Sequence, residues 1–217
     1  MELLSSFLDL LVHLDRHLLE LARDYGPWIY LLLFLIVFCE TGLVVTPFLP
    51  GDSLLFVAGT LAGADVMNVH ILVVVLLVAA ISGNTTNYSI GRWVGPRIFT
   101  REDAWFFRRA YVERTHRFFD RFGGRTIIIA QFVPIVRTYA PFVAGVGQME
   151  YARFLTFNVT GAVLWVGLLT YAGYFFGNLP LVKNNLGLVI IGIILLSISP
   201  GIVEVIRQRL AISRAQR

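Results

Sequence analysis

The chain has 217 residues, 57% of them hydrophobic and only 15% charged, with a mean hydropathy of +0.73; a soluble domain carries about 25% charged residues, so that class is excluded. The net charge is +4, but the basic stretches are bracketed by apolar runs near the length of a membrane span, which excludes a nucleic-acid partner. One cysteine (Cys39) and four scattered histidines supply neither a disulfide, nor a metal-ligand cluster, nor a nucleophile with its base; no metal, no cofactor and no enzymatic activity are expected.

Residues 1–25 read as an amphipathic N-terminal helix. Leu3, Leu4, Phe7, Leu10, Leu11, Leu14, Leu18 and Leu21 recur at helical spacing, with Asp9, Asp15, Arg16 and Glu20 mostly elsewhere on the wheel, the pattern of a helix lying in the membrane interface. No signal-peptide pattern is present. Gly26-Pro27 ends the helix, and Trp28 and Tyr30 suit the headgroup level.

Residues 28–95 form a first repeat, a re-entrant hairpin over 28–63 and a transmembrane helix over 70–95. An apolar run from Trp28 to Cys39 leads to a lone carboxylate, Glu40, followed by Pro47, Pro50 and Gly51 and then by a second acid, Asp52. Proline lacks a backbone donor and clashes with the preceding turn, so the helix breaks near Pro47; Asp52 and Ser53 suit the N-cap of the next one. Residues 53–63 rise only about 16 Å, half of the roughly 30 Å hydrocarbon core, so the segment enters from the outer face and turns back. Broken backbone at that depth must be buried in protein or line a wet cavity, and acids there are usually functional. The lower half of the transmembrane helix is polar (Ser82, Asn84, Thr85, Thr86, Asn87, Tyr88, Ser89), which calls for a cavity or polar neighbour, while Gly91 and Gly95 offer a close helix contact.

Residues 97–125 are rich in arginine and aromatics, as amphipathic helices on the inner leaflet are. Residues 126–177 then repeat the first pattern: a hairpin over 126–149, broken at Pro134 and Pro141 with Arg137 at its tip, and a transmembrane helix over 154–177. Phe142-Val-Ala-Gly145 matches Phe56-Val-Ala-Gly59 letter for letter, and Gly173 and Gly177 echo Gly91 and Gly95. A last span covers 186–206, and 207–217 form a basic cytoplasmic tail. Basic loops stay in the cytoplasm, so the first hairpin enters from outside and the second from inside.

The fold class is thus an all-α polytopic membrane protein: an inverted repeat of two re-entrant helical hairpins, each followed by a transmembrane helix, plus amphipathic helices and a C-terminal transmembrane helix. Inverted repeats with broken helices meeting near mid-membrane are the layout of secondary transporters. Glu40, Asp52 and Arg137 face one another across the hairpin tips as the substrate- and proton-binding residues. Thr46, Ser53, Asn84, Asn87, Tyr88, Arg92, Gln131, Thr138 and Tyr139 support the cavity. Arginine suits a phosphate gripped by two parallel hydrogen bonds, and a carboxylate beside it can exchange a proton for substrate. A flippase or carrier for an anionic lipid headgroup follows, the alternative being a non-transporting scaffold for envelope or cell-division proteins.

Four stretches, Phe38-Cys-Glu-Thr-Gly-Leu, Pro47-Phe-Leu-Pro-Gly-Asp-Ser-Leu-Leu, Tyr88-Ser-Ile-Gly-Arg and Phe132-Val-Pro-Ile-Val-Arg-Thr, resemble the DedA family of bacterial inner-membrane proteins, which share the VTT domain with eukaryotic lipid scramblases. The resemblance covers nearly the whole chain. It implies movement of undecaprenyl phosphate or phospholipid in support of envelope homeostasis, often linked to the proton-motive force, and family-essential acids and an arginine at Glu40, Asp52 and Arg137. It implies a multi-pass protein of the bacterial inner membrane, with the C-terminus cytoplasmic. The partners expected are membrane lipids, protons and a second copy in a homo-oligomer. Two departures stand out: Gln131 replaces the usual arginine before Phe-x-Pro, and Asn84 replaces the usual aspartate after Gly83, as in a compensated loss of an ion pair.

Overall fold

The computed structural model describes residues 14–43, 51–99, 124–183 and 185–193. Thr46, Pro47 and Pro50, most of the 97–125 segment and the chain beyond residue 193 lie outside them. The described residues are helical, with no strand among them: α1 (Leu14–Tyr25), α2 (Trp28–Gly42), α3 (Gly51–Gly63), α4 (Val69–Phe99), α5 (Arg125–Ala130), α6 (Pro134–Val146), α7 (Tyr151–Phe176) and α8 (Pro180–Lys183). Residues 186–193 are helical too.

Two helices have apolar stretches long enough to cross a bilayer, Val69–Gly95 in α4 with 27 residues and Tyr151–Phe176 in α7 with 26. The 15 residues of α2 and 13 of α3 rise only about 22 and 20 Å, short of the core thickness. On the outside, Leu31 and Leu35 of α2, Ile71, Val74 and Val78 of α4 and Leu164 and Leu168 of α7 are exposed. Such apolar surfaces suit lipid rather than water, and the chain is a helical membrane protein. By contrast α3 is buried from Gly51 through Ala62, as a helix apolar on every side should be.

Small residues set how closely the helices approach. Where α3 crosses α7, a Cβ added to Gly59 would overlap the Thr170 carbonyl oxygen, and one on Gly173 the Phe56 carbonyl oxygen. Where α6 crosses α4, a Cβ on Gly145 would overlap the Tyr88 carbonyl oxygen, and one on Gly91 the Phe142 carbonyl oxygen. Each Phe-Val-Ala-Gly therefore docks on the long helix of the other half of the chain. The first short helix of each pair stays with its own half, α2 on α4 and α5 on α7; Gly83 of α4 admits Thr41 and Gly42 of α2.

Two local expectations change. Helix α3 starts at Gly51, which puts Asp52 in the first turn, where an acid complements the partial positive charge of the helix N-terminus. Pro141 is not a break: α6 runs through it from Pro134 to Val146. The break in this region is at residues 131–133, where Val133 is extended (φ −125°, ψ 102°), as a residue preceding proline prefers. A neighbouring helix braces the turn before it: Asn87 Nδ2 of α4 donates to the Thr138 carbonyl oxygen at 2.8 Å.

Candidate functional site

Glu40 stands in the last turn of α2, Asp52 in the first turn of α3 and Arg137 in the first turn of α6. The packing of α3 and α6 on opposite long helices brings their N-terminal turns together. Arg137 Nη1 donates to Asp52 Oδ1 at 2.9 Å, and Nη2 donates to Glu40 Oε1. All three residues are buried, with relative exposures of 1% for Glu40, 8% for Asp52 and 2% for Arg137. Buried charges survive only in such company, because each ion has lost its hydration. Gly51 makes room for the arrangement, since a Cβ there would overlap the Glu40 carboxylate.

A fourth residue completes the cluster. Trp165, at the middle of α7, donates from Nε1 to Asp52 Oδ1 at 2.7 Å. Its ring lies 4.4 Å from the centre of the Arg137 guanidinium, a cation–π contact. Several buried polar atoms around the cluster have no hydrogen-bond partner among the described residues: Glu40 Oε2, Arg137 Nε, Ser53 Oγ and Gln131 Oε1. Buried polar atoms are normally satisfied, and these four keep hydrogen-bonding capacity that the described residues do not use.

The other sequence-predicted residues divide into those beside the cluster and those away from it. Asn87 bridges the two short-helix pairs, donating to the Thr41 carbonyl oxygen at 3.1 Å as well as to Thr138; the Thr41 carbonyl belongs to the end of α2, where carbonyls lack helical partners. Gln131 is buried, and its carbonyl oxygen accepts from Arg137 Nη1 at 3.5 Å. Asn84 donates to Asn158 Oδ1 of α7 at 2.8 Å. Thr138 is buried and Tyr139 is exposed. Tyr88 belongs to a second core cluster, stacked on Phe154 at 4.3 Å and donating to the Met149 carbonyl oxygen. Arg92 donates to the Tyr88 hydroxyl at 3.2 Å. That pair therefore serves the α4–α6 end of the molecule. Thr46 lies outside the described residues.

Sequence reasoning missed Trp165 and Asn158. A signal existed for each: a buried indole N–H needs an acceptor, and an asparagine inside an apolar span needs a partner. Which partner it finds is a property of helix packing. Among the described residues, no group of histidine, cysteine and acidic side chains could hold a metal ion.

Comparison with known proteins agrees over the same region. The VTT domain matches residues 49–175. The chain is 56% identical to Protein DedA of Escherichia coli (strain K12) over 219 aligned residues, covering all of both chains. It is 44% identical over 177 residues to an uncharacterized membrane protein of Mycobacterium tuberculosis, covering 81% of this chain and 78% of that one. It is 36% identical over 180 residues to the inner membrane protein YqjA of E. coli (strain K12), covering 83% and 81%. No solved structure matches.

Proposed function

This chain belongs to the DedA family of VTT-domain membrane proteins, and from that premise we propose that it moves an anionic lipid headgroup, of undecaprenyl phosphate or a phospholipid, across the inner membrane. The observation that carries this reading is the buried Arg137 between Glu40 and Asp52. A guanidinium offers a phosphate a planar fork of donors, while the acyl or prenyl chains stay in lipid outside the apolar surfaces of α2, α4 and α7. The carboxylates hold the arginine when no headgroup is present, and a proton taken up by one of them offsets part of the charge of the incoming phosphate. No bond in the substrate is made or broken, so this is transport rather than catalysis.

In this reading the pairs α2–α3 and α5–α6 are re-entrant hairpins, and the halves 28–95 and 126–177 form an inverted repeat. The reciprocal contacts Gly59–Thr170, Gly173–Phe56, Gly145–Tyr88 and Gly91–Phe142 support the repeat, and the short lengths of α2 and α3 support re-entry. The inversion comes from the placement of arginines, which puts residues 97–125 and the C-terminus in the cytoplasm. Cysteines introduced beside Asp65 and Asn178 should react with an impermeant reagent from outside, and one at Arg114 should not. Labelling of position 114 from outside would overturn the inversion.

The function is tested with purified protein in liposomes, scored for loss of asymmetry of labelled phospholipid and of polyprenyl phosphate, with and without a pH gradient. Movement of the labelled lipid, abolished by Glu40→Gln, is expected. Folded protein that moves neither lipid would overturn the reading in favour of a scaffold.

A further inference from the structure

We infer that Trp165 is a positioning residue that makes the two carboxylates unequal: it fixes Asp52 as the standing counter-ion of Arg137 and leaves Glu40 as the one that an anionic headgroup displaces. The naming of the incoming anion as a lipid headgroup rests on the proposed function; the inequality of the acids does not. Asp52 Oδ1 accepts two hydrogen bonds from two helices, from Arg137 of α6 at 2.9 Å and from Trp165 of α7 at 2.7 Å. Glu40 is held differently. Its Oε1 accepts from Arg137 Nη2, its Oε2 has no side-chain partner among the described residues, and its remaining support is the Gly51 backbone. Withdrawing Asp52 would break the arginine bond and also strand a buried indole N–H, and a buried donor left unmade is costly. Withdrawing Glu40 breaks one side-chain bond and strands no indole or other side-chain donor besides the arginine nitrogen that the incoming anion takes.

The geometry of the guanidinium selects the same acid. The Trp165 ring covers one face of Arg137, so an anion reaches it along an edge. Nη1 faces Asp52, whereas the edge formed by Nε and Nη2 is only half used: Glu40 takes Nη2, and Nε has no partner among the described residues. Two donors on one edge are what a phosphate takes in bidentate fashion. Glu40 is thus a one-point placeholder on a two-point site. A headgroup oxygen pair that replaces it recovers the bond to Nη2 and adds the missing bond to Nε, with Asp52 and Trp165 unmoved.

The test uses the full-length protein in detergent and reads thermal unfolding, alone and with a short-chain phosphatidylglycerol, the matching diacylglycerol, or inorganic phosphate. Trp165→Phe keeps an aromatic face over Arg137 and removes the N–H. Combined with Asp52→Asn, its shift should fall short of the sum of the two single shifts, because one variant removes the donor and the other the charge of the same Trp165–Asp52 hydrogen bond. Combined with Glu40→Gln, the two shifts should add. Should Asp52→Asn yield no folded protein, Asp52→Glu replaces it in the cycle with the same expectation. Phosphatidylglycerol should stabilise the wild type where diacylglycerol and inorganic phosphate do not. Glu40→Gln should bind it about tenfold more tightly, the worth of one charge-assisted hydrogen bond no longer competed for. Additivity of Trp165→Phe with Asp52→Asn, or unchanged or weaker phosphatidylglycerol binding in Glu40→Gln, would overturn the inference. Equal stabilisation by inorganic phosphate would overturn its lipid class. Absence of lipid movement in liposomes with this binding pattern intact would overturn the transport reading and leave the assignment standing.

Discussion

Helices α3 and α6 invite comparison because each has 13 residues, contains Phe-Val-Ala-Gly and presses a glycine onto a carbonyl of a long helix from the other half. Their surroundings differ. The first is buried from Gly51 through Ala62, whereas the second exposes Val136 and Tyr139. The first opens with an acid, Asp52, and the second with a base, Arg137. The packing that two helices share therefore comes from small residues, which act through backbone approach and are indifferent to charge. The difference in charge, laid over a repeated backbone contact, is what lets two facing N-terminal turns form one buried ion cluster.

The most damaging way to break this comparison is to remove its charge difference. Arg137→Ala leaves two buried carboxylates without their cation and should cost about 3–5 kcal/mol of stability together with all lipid movement, measured by unfolding in detergent and by the liposome assay. Arg137→Lys should recover part of the stability but less of the function, because an ammonium lacks the planar fork. Next come the acids. Glu40→Gln and Asp52→Asn should both reach the membrane and both lose transport, with Asp52→Asn the less stable of the two by its unfolding midpoint, since Trp165 also depends on Asp52. Normal transport by either variant would make that acid structural only.

The shared backbone contact can be probed separately. Gly59→Ala and Gly145→Ala each push a methyl into a carbonyl oxygen and should each cost about 1–3 kcal/mol by overpacking. Equal losses would show the two contacts as equivalents; a loss on one side alone would end the parallel. The smallest effect is expected from introducing the two charges that the family resemblance implies at positions 131 and 84. Asn84 meets Asn158, and Gln131 packs against Gly161, one turn apart on α7. Gln131→Arg and Asn84→Asp should each destabilise and be better tolerated together, with a coupling of about 0.5 kcal/mol or more in a thermal double-mutant cycle. Strict additivity would remove the idea of a compensated ion pair.

Much of the scaffold was legible because its causes are local. Apolar runs of sufficient length mark α4 and α7, the Gly26-Pro27 turn separates α1 from α2, and glycines spaced four apart mark the contact faces. The three charged residues stood out for the same kind of reason: an isolated charge in an apolar stretch needs compensation wherever it lies. Local rules went astray at Pro141. Its missing donor argued for a break, yet Asn87, far away in the chain, hydrogen-bonds the adjoining turn and α6 continues. Tyr88 and Arg92 likewise belong to the same polar helix as Asn84 and Asn87, but the turn of that helix carries them to another core cluster. Composition and spacing by themselves determined which segments are helices in lipid and which residues are too polar to be left alone there. Only the tertiary structure decided that Trp165 is the partner of Asp52 and Arg137 and that Asn158 is the partner of Asn84, because a hydrogen bond between helices depends on their crossing and rotation, which no single helix encodes.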